Sequence, residues 1–159
     1  MKSLNEKINS SKWLKLFVSV AIPLIACIMI LSVYGIRYQT NDDATLSNIA
    51  AGAYGDTIHM VYVNVLFSLI LRPLYALKMA NWYVIIQLVL VVISIAVIAY
   101  ILMERLGTIQ GGIMSVIMMI AFAEHIFYSF QYTECSSIML QLGFCLSLII
   151  LVNLINLLG

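Results

Sequence analysis

The chain has 159 residues, of which 64% are hydrophobic and only 9% charged, and its mean hydropathy is +1.07. A soluble domain of this length carries about 25% charged residues, and a small domain has too much surface to hide such a deficit. The composition predicts an all-α integral membrane protein. A formal net charge of +1 argues against a nucleic-acid partner, which would require a concentrated basic patch.

In chain order, residues 1–13 read as a cytoplasmic N-terminus holding Lys2, Lys7 and Lys12, with Lys15 just inside the first apolar run. Excess lysine marks the cytoplasmic side of a span. Leu14 to Ile36 is that span, since 23 helical residues reach about 34 Å. The run is longer than the core of a signal peptide. "LIAC" at Leu24–Cys27 resembles a lipoprotein cleavage box, but "IMILSVYG" continues the apolar run beyond the cysteine.

Residues 37–59 form the one long polar stretch and are expected outside the cell. Asn41 and Asp42 make a helix start, and Gly52 and Gly55 a stop. On the structural reading, one of Asp42 and Asp43 caps this short helix and the other is solvated. The functional reading has its own chemistry. A carboxylate at the membrane surface can act as general base toward a hydroxyl, and two together can hold a divalent cation against a phosphate. Arg37, His59, Arg72 and Lys78 could offset the charge of a phosphate leaving group on the same side.

Met60 to Met79 is the ambiguous segment. The twelve residues before Arg72-Pro73 reach only about 18 Å as a helix, too short to span. Asn64, Ser68, Arg72, Tyr75 and Lys78 share one side, the pattern of an interfacial amphipathic helix. Its polar stripe should face the external loop or solvent, with Phe67 and Leu74 toward lipid or neighbouring helices. Tyr83–Met103, Gly112–Phe130 and Ile138–Leu158 complete four spans, placing both termini in the cytoplasm. If 60–79 crossed instead there would be five. Charge placement does not separate the two and, if anything, slightly favours five, whereas the short length and the Arg-Pro break favour four.

Within the spans, Glu124, Tyr128 and Gln131 follow i, i+4, i+7 spacing and could face a wet cavity beneath the loop; an intramembrane carboxyl is a functional candidate. On the plainer reading Glu124 is protonated or hydrogen-bonded to a neighbouring helix. His125 falls on another face. Gln87, Gln141, Asn153 and Asn156 suit interhelical hydrogen bonds, and Trp13, Trp82 and Tyr83 suit interfacial anchors. Gly111–Ser115, "GGIMS", would permit close helix packing. Cys27, Cys135 and Cys145 lack metal-ligand spacing and read as buried free thiols.

"NDDATLSNIAAGAYGDTIHMVYVNVLFSLILRPLYAL…NWY" following a first span resembles the start of polytopic GT-C glycosyltransferases, in particular an uncharacterised bacterial branch. There an acid-containing external loop precedes a juxtamembrane helix and a returning span. "FYSFQYTECSSIML" is similar to the turn between the third and fourth spans. The resemblance implies a polyprenyl-phosphate sugar donor and places Asp42 or Asp43 at the catalytic acid, with His59 and Arg72 toward the donor phosphate and Glu124 lining the cavity. Two departures stand out. Prolines that often follow the loop histidine are replaced by Met60-Val61, and such enzymes have many more spans, so the module would be truncated or partial. The alternative is a small non-enzymatic membrane protein binding a partner subunit or lipid. A transporter subunit would call for broken helices that the sequence does not suggest.

Overall fold

The computed structural model of the chain describes residues 8–38, 41–53, 65–77 and 80–158; within these, the side chains of Asn41, Glu124, His125, Ser129, Phe130 and residues 148–158 lie outside the description. It is all-helical apart from one two-residue strand pair. The order is α1 (Lys12–Tyr34), β1 (Arg37–Tyr38), α2 (Asn41–Ala50), α3 (Val65–Leu77), α4 (Trp82–Leu106), α5 (Thr108–Ala123), a π-helical turn (Glu124–Tyr128), β2 (Ser129–Phe130) and α6 (Tyr132–Leu158).

Helices α1, α4, α5 and α6 form the bundle, with α4 packed against each of the other three. At one end Lys15 Nζ bonds Glu104 Oε1 at 2.9 Å, tying the start of α1 to the end of α4. There α4 turns into α5 through the single residue Gly107 at φ +89°. The Asn9 side chain caps α5 by accepting the Thr108 N–H at 2.8 Å. At the opposite end β1 pairs in parallel with β2, Arg37 opposite Ser129 and Tyr38 opposite Phe130. This second end also holds α2 and α3, and is called the loop end below.

On α1 and α5 the packing is inside out relative to a soluble protein, whereas the central α4 buries Tyr83, Val84, Leu88, Val91, Ile95 and Met103. The buried stripe of α1 is Lys15, Ser19, Pro23 and Cys27, while Phe17, Ile28 and Met29 stand 71%, 58% and 62% exposed. On α5 the buried stripe is Thr108, Gly111, Ser115 and Met119, while Ile113, Ile117 and Ile120 face outward. Small and polar residues inside, with large apolar residues outside, is how helices associate when the solvent is hydrocarbon. A soluble monomer rarely exposes an apolar surface of such extent.

Gly111 shows how close the packing is. A Cβ there would lie 2.5 Å from Met103 Cα and N on α4, whereas one on Gly112 would meet only the Met103 side chain at 3.8 Å. The expected small-residue contact at Gly111–Ser115 is present, and Ser115 donates to the Gly111 carbonyl at 2.7 Å.

Four spans were expected, and two helices, α1 and α4, are long and apolar enough to cross a membrane among the described residues. The third expected span is shorter as an α-helix because α5 has 16 residues and widens into the π turn before Tyr128. α6 has 27 residues and begins six residues earlier than the expected fourth span. The 13 residues of α3 rise only about 20 Å, too little to cross.

The stripe on α3 faces the other way from one of its expected directions. Ser68 and Leu71 are buried and Tyr75 is half-buried, while Leu66, Leu69, Ile70 and Leu77 are exposed. The polar side packs on the protein, where α3 meets α2 and α4; the apolar side is exposed. Phe67 turns toward a neighbouring helix as expected, its ring 6.2 Å from that of Tyr83.

Candidate functional site

Asn81, Asp43, Tyr38, Ser47, Tyr75 and Tyr83 come together at the loop end, and the orphan amides at helix starts explain much of this. Asn81 is the N-cap of α4, its Oδ1 accepting the Val84 N–H at 3.4 Å. The same oxygen accepts from Ser47 Oγ on α2 at 3.1 Å, and Nδ2 donates to the Tyr38 hydroxyl at 2.7 Å. The Tyr83 N–H, one residue earlier in the first turn of α4, donates to the Tyr75 hydroxyl of α3 at 3.2 Å. Thus β1, α2 and α3 all attach to the first turn of one long helix.

Asp43 forms the second junction. It is 2% exposed, and its Oδ1 accepts the Tyr83 hydroxyl and the Tyr132 N–H, both at 3.0 Å. Tyr132 is the first residue of α6, so Asp43 satisfies an orphan amide of α6 and places a carboxylate at its N-terminus, where the helix dipole favours it. Sequence reasoning put one acid at the cap of its own short helix. Asp43 instead serves two helices far along the chain. Asp42 is exposed on the same first turn of α2.

The far end of α2 follows the expected stop. Gly52 has φ +84°. Its N–H reaches the Ile49 carbonyl while the Ala53 N–H reaches that of Asn48, both at 3.0 Å. This is the paired closure that glycine permits.

Of the other expected site residues, Arg37 is exposed and lies over the Tyr128 ring at 5.5 Å, a cation–π contact. Tyr128 also meets Tyr34 edge-on at 5.3 Å. Arg72 is half-buried on α3 and has an interaction partner. His59 and Lys78 lie outside the described residues, as does the Glu124 side chain. Glu124 and Tyr128 are the first and last residues of the π turn, and β2 separates Tyr128 from Gln131.

Two residues with little sequence signal line cavities here. Gln87, expected to bond between helices, is 3% exposed and neither of its amide atoms has a hydrogen-bond partner. Glu134, in the first turn of α6, lines a cavity of about 430 Å³ with Ser137, Gln141, Met119, Ile126 and Ile95. Spacing on α6 alone groups Glu134, Ser137 and Gln141, so that polar stripe was legible.

A divalent cation needs about six oxygen ligands. Among the described residues no three His, Cys, Asp or Glu come together, and Asp43 Oδ1 already accepts two hydrogen bonds. Comparison with protein-family models, with curated proteins and with solved structures finds no match.

Proposed function

We propose that the chain is a membrane module of the GT-C glycosyltransferase kind, in which Asp42 is the working carboxylate and Asp43 positions it. The four bundle helices cross the bilayer. α5 and its π turn run without interruption from Thr108 to Tyr128, about 30 Å, which matches the hydrocarbon thickness. The 27 residues of α6 exceed it. α2 and α3 lie at one membrane face, α3 with its apolar side toward lipid.

The observation that carries the reading is the division of labour between two adjacent acids: Asp43 buried with its Oδ1 accepting from Tyr83 and Tyr132, and Asp42 exposed beside it on the first turn of α2. In this reaction Asp42 takes the proton of an acceptor hydroxyl as its oxygen attacks the sugar anomeric carbon. The bond from that carbon to the phosphate oxygen breaks, and the polyprenyl phosphate leaves with the electron pair. Arg37, Arg72 and His59 are assigned to its charge, and Glu124 to the cavity wall.

The test places this segment in a complete related enzyme. Asp42→Asn should lower sugar transfer by about 100-fold or more, the scale of a lost general base, while Asp43→Asn keeps most activity. Full activity in Asp42→Asn would defeat the proposal. It would favour the second reading, a non-enzymatic helical module that binds a partner subunit or lipid, which the hydrogen bonds of Asp43 to Tyr83 and Tyr132 support.

A further inference from the structure

We infer that the outer groove between α1 and α4 holds an anionic membrane lipid, with its headgroup against Lys12 and Arg105 and an acyl chain along the groove. The groove is a cavity of about 280 Å³, lined by Leu16 and Val20 of α1 and by Val92, Ile93, Val97 and Tyr100 of α4. Val92 to Tyr100 rises about 12 Å. A cavity of that volume and length is too narrow for a helix about 10 Å across and suits a single hydrocarbon chain. Ser19 also borders it, but its hydroxyl donates to the Leu16 carbonyl at 2.9 Å, so the groove asks for no polar occupant along its length. Leu16, Val20 and Ile93 are exposed, which leaves the groove open to chains in the bilayer.

Charge sets the chemistry of the head. Tyr100 borders a second cavity, of about 320 Å³, together with Ile101, Glu104 and Arg105. Ile93, Val97, Ile101 and Arg105 follow i, i+4 spacing, as do Tyr100 and Glu104, so both cavities lie along one side of α4. On α1, Lys12 is one turn beyond Leu16 toward the same end. The upper end of the groove is therefore where Lys15 and Glu104 tie the two helices at 2.9 Å. That contact offsets the carboxylate with one lysine. Lys12, also within electrostatic reach of Glu104, and Arg105 are left over. Both are exposed, and neither is ion-paired among the described residues. Two uncompensated cations at the end of an apolar groove match an anionic headgroup joined to a chain. A zwitterionic head brings no net charge to them, and free phosphate leaves the groove unfilled. In the proposed orientation this end faces the cytoplasm, where the leaflet carries negative surface potential.

This inference rests on the membrane reading but not on glycosyl transfer. The probes are dioleoyl phosphatidylglycerol and dioleoyl phosphatidylcholine, which share their chains, competed for the full chain in mixed nanodiscs and read by native mass spectrometry. The wild type should retain the anionic lipid over the zwitterionic one by about five- to twentyfold, the scale of one to two basic side chains beside an anionic head. Lys12→Gln with Arg105→Gln should remove the preference, while Lys12→Arg with Arg105→Lys keeps it. Ile93→Trp, which fills the groove from its open side, should lower retention of both lipids. Equal retention of the two lipids by the wild type would overturn the inference without any variant. A full preference surviving in the glutamine pair, or in each single glutamine variant should the pair not fold, would overturn it equally. So would unchanged retention in Ile93→Trp. Sugar transfer can fail in the hybrid enzyme while this preference stands.

Discussion

Replacing Asp43 separates structure from chemistry at the loop end. Two hydrogen bonds end on its Oδ1, from a tyrosine that is fully buried and from the first amide of α6. Asparagine keeps a carbonyl oxygen in that place, so Asp43→Asn should preserve both bonds and cost about 1 kcal/mol for the lost charge assistance. Alanine removes the acceptor and strands two donors at about 1–3 kcal/mol each, so Asp43→Ala should cost roughly 2–6 kcal/mol. At about 2–4 °C per kcal/mol for a chain of this size, the apparent unfolding midpoint in detergent falls by roughly 5–20 °C. For the asparagine variant the fall is at most about 4 °C. Tryptophan fluorescence is a suitable assay because Trp82 begins the helix that carries Tyr83. Equal loss in the two variants, or no loss in alanine, would refute the assignment of Asp43 as the joint between α2, α4 and α6.

Further expectations concern the bundle. Gly111→Ala should destabilise by about 1–3 kcal/mol through overpacking against the Met103 backbone, while Gly112→Ala is close to neutral; equal midpoints would contradict the close approach of α4 and α5. Lys15→Glu should lower stability, and Lys15→Glu combined with Glu104→Lys should recover part of the loss. The recovery should be about 1 kcal/mol or less, because the Glu104 side chain is 40% exposed and water screens the pair. An unchanged double-mutant cycle would make the ion pair incidental. Gly52→Val, forced into φ +84°, should cost about 1–2 kcal/mol where Gly52→Asn costs less; equal losses would contradict the glycine-closed end of α2.

The long elements were legible because hydropathy records them directly. Leu14–Ile36 corresponds to α1 at 12–34, and Tyr83–Met103 lies inside α4 at 82–106. The stop of α2 was legible in glycine, and the close contact at Gly111 in the spacing of small residues. What local reading missed is long-range. Nothing near Asp43 identifies Tyr83 or Tyr132, which lie 40 and 89 positions away. The inward turn of Ser68 and Tyr75 depends on partners in α2 and α4; the expected direction toward the external loop holds through α2, and the one toward solvent does not. The two-residue strand at Ser129–Phe130 interrupts the third expected span before Gln131, a break that a helical wheel does not foresee. In an apolar chain the pattern cannot separate a buried leucine from one facing lipid, and the smaller residues carry that information instead.

The central claim is that the bundle lies across a membrane with α2 at one face and the α4–α5 turn at the other. It is tested by thiol labelling with an impermeant maleimide, in intact cells and after permeabilisation, in a background lacking Cys27, Cys135 and Cys145. Asn48→Cys on α2 and Arg105→Cys at the end of α4 are both at exposed positions. Asn48→Cys should react in intact cells, and Arg105→Cys only after permeabilisation. Reaction of both without permeabilisation would contradict the account.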